Sequence, residues 1–202
     1  MQLICESDNL QDYLEETTEV DYSDPRIGEL VERLTTASRS QEEYIRHAYE
    51  WVRDNISHAW DIQSTRVTCA ASEVLEFGEG ICYAKSNLLC AILRRAAIPA
   101  GFCYQRLTLG DEPDTGYCIH ALNAVYIASL NKWIRLDARG NKPGICAEFS
   151  LTEERLAFPI REAYGEFDYP TIYAQPHPQT IAVLRQHTNS LTMYQHGLPS
   201  HL

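Results

Sequence analysis

Cys82 follows the turn Gly78-Glu79-Gly80-Ile81 and opens the apolar run from Tyr83 to Ala97, a pattern that predicts a thiol at a helix N-terminus. The first N–H groups of a helix lack intrahelical acceptors and the dipole is positive at that end, so the site favours thiolate over thiol. Cys82 is therefore a candidate nucleophile. Downstream, His120 falls in the strand-like stretch Tyr117–Ser129 and Asp137 in the strand-like stretch Trp133–Arg139. In that order the three residues make a working set for acyl transfer. The imidazole takes or holds the thiol proton and gives it to the leaving group, and the carboxylate accepts the other ring N–H and so fixes tautomer and orientation.

Each residue has a plainer alternative. A free cysteine in a helix is commonly a small buried hydrophobe, and a single histidine in a strand is commonly a satisfied core or surface residue. Asp137 is less ordinary, because aspartate is depleted in strands and one placed there answers to a specific partner. Pairing parity allows His120 and Asp137 to share a sheet face. A turn at Ser129-Leu130-Asn131-Lys132 would set them diagonally, leaving strand twist or a bulge to close the gap. Cys118 shares the strand face of His120 and reads as a neighbour or a resolving thiol. Cys82, Cys118 and His120 could also ligate a metal, although C-x-H alone is a weak ligand pattern.

The elements that must hold these residues can be read on either side. Met1–Val20 is acidic and weakly periodic, which predicts an arm or irregular extension. Asp24-Pro25 starts a helix over Ile27–Leu34, and Ser40 with Glu43 makes a capping box before a helix over Tyr44–Ile56. Thr65–Ala71 reads as extended or irregular, and Ser72–Phe77 as one helical turn. The helix after Cys82 is apolar on most sides, which predicts a central element wrapped by others. Pro99 ends it, Gly101–Leu109 alternates as a strand, and the segment from Gly110 to Gly116 is a turn. Phe149–Phe158 is predicted helical, Tyr169–Pro178 is a proline-rich linker, and Gln179–Tyr194 forms a last helix. Helices followed by strands with short connections predict an α+β fold, with the cysteine helix packed on an antiparallel sheet in a single domain over residues 1–202.

Composition narrows the partners. With 17 basic against 28 acidic residues and a net charge of −11, the chain lacks the basic surface that phosphate backbones require, so a nucleic-acid partner is not expected. Lys85, Arg94 and Arg95 interrupt the longest apolar stretch, so no membrane span is expected. Seven cysteines without a C-x-x-C pair, and an N-terminus with neither a basic nor an apolar leader segment, predict a reduced, cytoplasmic protein.

The stretches AYEWVRDNISHAWDI, GEGICYAKSNLLCAILRRAAIPAGFCY, IHALNAVYI and KWIRLDARGNK together resemble the transglutaminase-like superfamily, as a small stand-alone member of bacterial type. The resemblance implies a papain-like core and places Cys82, His120 and Asp137 on the triad positions. It implies thiol acyl chemistry on a peptide or protein amide, hydrolysis ahead of transfer to an amine, with no cofactor and no metal. A catalytically silent binding module with the same fold is the rival of another class. Leu122 and Ala138 stand where many relatives carry an aromatic residue and a proline. One oxyanion donor would be the Cys82 backbone N–H, with Trp60, Gln63 or Gln105 as side-chain candidates for the second.

Overall fold

A computed structural model describes residues 1–110 and 112–202. Near the N-terminus β1 (Ile4–Cys5) precedes α1 (Pro25–Thr36), α2 (Gln41–Asn55) and β2 (Ser57–His58). Then come α3 (Ala71–Phe77), β3 (Glu79–Gly80) and α4 (Cys82–Arg95). The strands β4 (Ala100–Thr108), β5 (Tyr117–Ile127) and β6 (Lys132–Leu136) follow, and β7 (Phe167–Asp168) and β8 (Thr171–Ile172) precede α5 (Pro178–Gln186) and α6 (Ser190–His196). The main sheet is antiparallel with strand order β6-β5-β4-β7, the α+β arrangement expected.

The helix starts form for the reasons their residues give. Asp24 accepts a hydrogen bond from the Arg26 N–H with Pro25 in the first turn, and Ser40 Oγ accepts from the Glu43 N–H at 3.1 Å. The reciprocal bond of that second cap reaches one residue further back, where Glu43 accepts from the Arg39 N–H. Helix α4 is buried from Cys82 through Arg94, including Lys85, Ser86 and Asn87. Each charged or amide side chain among these has carbonyl partners: Lys85 Nζ reaches Ile56 O and, at 3.4 Å, Arg53 O, while Asn87 donates to Cys69 O and Arg94 to Ala100 O. Buried donors without such partners would cost about 1–3 kcal/mol each. The cationic side chains that interrupt the apolar run thus fasten α4 to the loops around it.

Side chains of β5 alternate as its sequence predicts. Ile119, Ala121 and Val125 belong to the core shared with α4, whereas Leu122 and Ala124 pack with Tyr13, Cys103 and Ile172 in a second cluster. That second cluster corrects the reading of both termini. The expected arm and the expected linker are tied together, β1 pairing in parallel with β8 through Ile4↔Thr171 and Cys5↔Ile172. Tyr13 is fully buried between them and donates to Ile172 O at 3.1 Å.

Three further expectations shift. The strand expected to run to Arg139 ends at Leu136, because the Asp137 carboxylate accepts the Arg139 N–H and turns the chain out of the ladder. Phe149–Phe158 is not helical. Ser150 Oγ accepts from the N–H groups of Thr152 and Glu153, and the Ala157 N–H goes to Asp137, so side chains take the bonds a helix would have made. The last helix is two, since Asn189 accepts from the Leu191 and Thr192 N–H groups and starts α6 afresh. Asp111, in the expected 110–116 turn, lies outside the described residues.

Candidate active site

Two glycines set the entry to α4. Gly78 ends α3 with φ +66°, in the left-handed region that glycine occupies without strain. At Gly80 a Cβ would come within 2.8 Å of Thr68 Oγ1 and 3.0 Å of the Ala84 Cβ, so only a glycine lets β3 approach the first turn of α4. Ile81 is the N-cap and provides no side-chain cap. The N–H groups of Cys82, Tyr83 and Ala84 therefore have no intrahelical acceptor.

Cys82 and His120 line one cavity, and Asp137 is buried behind His120. His120 Nε2 lies 2.8 Å from Asp137 Oδ2, both side chains being almost wholly buried at 5% and 1% exposure. The register Asn123↔Leu136 places Asp137 just past the last paired residue of β6, diagonally across from His120. The departure of Asp137 from the ladder is what lets its carboxylate meet the ring. The Cys82 sulfur is near enough to the same imidazole to raise its basicity. Nε2 is committed to Asp137, so Nδ1 is the nitrogen left for sulfur. Phe158 stands edge-on to the ring with centroids 5.1 Å apart and limits its rotation.

Burial alone would make His120 less basic, but the Asp137 carboxylate and the Cys82 sulfur outweigh it and raise the ring to about 10. Burial likewise works to raise Asp137. His120 and the N–H groups of Ala157 and Arg139 prevail and hold it below the usual carboxylate range. At neutral pH the geometry therefore stabilises an imidazolium–carboxylate pair beside the Cys82 sulfur. Cys118 is different, because burial first and the neighbouring Cys82 second push its thiol up to about 12, which suits a wall residue and not a nucleophile.

The cavity has a volume of ≈ 570 Å³. Its walls include several residues that the sequence did not single out: His58, Arg139, Phe158, Tyr194 and Leu198. Arg139 holds Asp61 through two bonds, at 2.5 and 2.9 Å, and Lys142 reaches the same carboxylate at 2.6 Å. The C-terminal segment closes one side. Tyr194 stacks on Trp60 with centroids 4.4 Å apart and planes inclined by 14°, and Pro199 O accepts from the Ile119 N–H beside His120. Of the side chains expected as oxyanion donors, Gln63 donates to Trp60 O and Gln105 to Asp168 Oδ1. Both amides are thus committed elsewhere, and Trp60 lies at the cavity wall.

Comparison with known proteins agrees with this architecture. Residues 28–138 match the family model of the transglutaminase-like superfamily, and the chain belongs to that superfamily, a family of thiol-dependent enzymes. A solved structure from Cytophaga hutchinsonii, provisionally described as a cysteine protease, is 18% identical with a TM-score of 0.53, the match covering 66% of this chain and 43% of that one. The periplasmic domain of TgpA from Pseudomonas aeruginosa, bound to ethylmercury, is 16% identical with a TM-score of 0.48 over 64% of this chain and 48% of that one. At 18% identity the likeness to the Cytophaga hutchinsonii structure is one of fold, and the chain spans less than half the length of either protein. No curated protein matches.

Proposed function

We propose that the protein is a cysteine hydrolase that cleaves peptide or protein amides through a thioester on Cys82. The observation that carries this reading is the meeting, in one cavity, of a thiol at an uncapped helix N-terminus with a buried His120–Asp137 pair. Sγ, having given its proton to His120, attacks the acyl carbon, forming a C–S bond as the carbonyl electrons move onto oxygen. Collapse restores the carbonyl and breaks the C–N bond, and the proton held on His120 leaves with the amine. Water then adds to the thioester with His120 as base, and its collapse frees the carboxylic acid and returns the thiol.

Nothing in this sequence of steps requires an ion. Asp137 is fully engaged by His120, Arg139 and Ala157, so its part is to orient and charge the imidazole. Transfer to an amine uses the same thioester and differs only in the acceptor. The test is incubation with fluorescently labelled casein, with and without dansylcadaverine. Release of labelled peptides that disappears in Cys82→Ala is expected. Incorporation of the amine without peptide release would replace hydrolysis by transfer, and neither reaction on casein or on a peptide library would leave the reading without support.

A further inference from the structure

His58 is buried at 6% exposure, lines the same cavity as Cys82 and His120, and takes no part in the steps above. Its place is fixed by backbone pairing. In the parallel pair β2–β3, His58 stands opposite Gly80, two residues before Cys82, with the Ala59 N–H bound to Gly80 O at 3.1 Å. The ring meets Tyr194 edge to face, with centroids 6.2 Å apart at 88°. Its Nδ1 is sealed from solvent and has no hydrogen-bond partner among the described residues.

A neutral imidazole carries one N–H and one lone pair. A hydrogen on Nδ1 would be a buried donor without an acceptor, an arrangement folded proteins rarely retain. The proton therefore belongs on Nε2, the ring nitrogen that is not sealed off in a side chain lining the cavity. We propose that the Nε2–H of His58 is the side-chain donor to the acyl oxygen, paired with the backbone N–H of Cys82, and this rests on the reading of Cys82 as nucleophile. As Sγ adds to the carbonyl carbon and the π electrons move onto oxygen, both donors bind the oxyanion. When the carbonyl re-forms and the leaving group departs, both are released without transfer of a proton.

The surroundings keep the ring in the state this role needs. Burial, then Arg139, lower its basicity well below that of a free histidine. Lys85 and His120 act the same way, and Asp61 opposes them but is neutralised by Arg139 and Lys142. His58 thus keeps a single N–H through the neutral range, unlike His120 a short distance away, which is driven the other way by Asp137.

Two reactions of the same sulfur separate the roles. Acetylation by p-nitrophenyl acetate passes through an oxyanion, whereas alkylation by iodoacetamide displaces iodide and forms none. In His58→Phe, which keeps ring volume and the Tyr194 contact, acetylation of Cys82 is expected to fall about 10²–10³-fold, with alkylation within about twofold of wild type. His58→Gln, which restores an N–H near the Nε2 position, is expected to recover about tenfold of that loss. The ratio of the two rates in wild type is expected to stay level between about pH 6 and about pH 9, because His58 does not titrate there. Unchanged acetylation in His58→Phe, a parallel fall in both reactions, or no recovery in a folded His58→Gln would each overturn the role of His58. Wild type that is alkylated but never acetylated at Cys82 would instead overturn the nucleophile itself.

Discussion

Asp137→Asn tests the buried pair with the smallest change in shape. Oδ1 accepts the Arg139 N–H at 3.1 Å, and Oδ2 accepts the Ala157 N–H at 3.1 Å while meeting His120 Nε2 at 2.8 Å. An amide has only one oxygen. Whichever way it is turned, its NH₂ faces a backbone N–H that has lost its acceptor, at a cost of about 1–3 kcal/mol. The charge-assisted bond to His120 is lost as well, about another 1.5–3 kcal/mol. A total near 3–5 kcal/mol agrees with the cost of breaking a buried ion pair from one side and corresponds to a melting point lower by roughly 6–20 °C in a chain of this size.

The pH dependence carries the sharper test. His120 has its folded basicity raised to about 10, so the stability it contributes is complete below about pH 6.5, where the unfolded ring is also charged, and declines as pH rises toward 10. Asp137 is held below its ordinary range, so its contribution is present above about pH 4 and is lost only as the solution becomes strongly acidic. Urea unfolding of wild type and Asp137→Asn is therefore expected to show its largest difference between about pH 5 and 6.5 and a difference about half as large near pH 10. The half that persists is the orphaned N–H. A difference that stays constant from pH 6 to 10 would mean that His120 is not charged beside Asp137, and the proton assignment would fail.

Other perturbations have equally definite outcomes. Cys82→Ala is expected to abolish thioester formation with little loss of fold, since it removes one sulfur at a helix end; turnover within tenfold of wild type on any substrate would move the nucleophile elsewhere. His120→Ala is expected to cost nearly as much turnover as Cys82→Ala, and the double variant no more than either, because the two act as a unit; losses that multiply would separate them. Gly80→Ala forces a Cβ to 2.8 Å from Thr68 Oγ1 and 3.0 Å from the Ala84 Cβ. It is expected to destabilise by about 1–3 kcal/mol and to slow Cys82 acylation together with it, and calorimetry showing unchanged stability would contradict the close approach described. Lys85→Met leaves the Ile56 and Arg53 carbonyls without their donor and is expected to cost about 1–3 kcal/mol, measured by chemical denaturation.

Legibility in the sequence followed the range of the interactions. Cys82 could be read because the signals that place it, two glycines before and an apolar run after, lie within twenty residues. His120 and Asp137 could be put on neighbouring strands because one short turn joins β5 to β6. Their exact contact could not be read, since it depends on Asp137 leaving the ladder to take N–H groups from Arg139 and from Ala157, twenty residues on. His58 gains meaning only when β2 pairs with β3, a contact between two-residue strands that no periodicity announces. The tie between β1 and β8 spans most of the chain, and short polar stretches of that kind read as an arm and a linker until the partner is known. Phe149–Phe158 departs from its local pattern for a different reason. Its helix-compatible composition was overruled by Ser150 and Asp137, which supply acceptors to backbone N–H groups that a helix would have paired internally.

Among the seven free thiols, we expect Cys82 to be the nucleophile for acyl chemistry. The most direct test is peptide mass mapping of the protein after brief reaction with substoichiometric p-nitrophenyl acetate at neutral pH. The structure leads us to expect an acetyl group on Cys82, labile to hydroxylamine as a thioester is, absent from the exposed Cys146 and the buried Cys118, and suppressed in His120→Ala. Acetylation that follows exposure, with Cys146 modified first and Cys82 unmodified, would contradict the account.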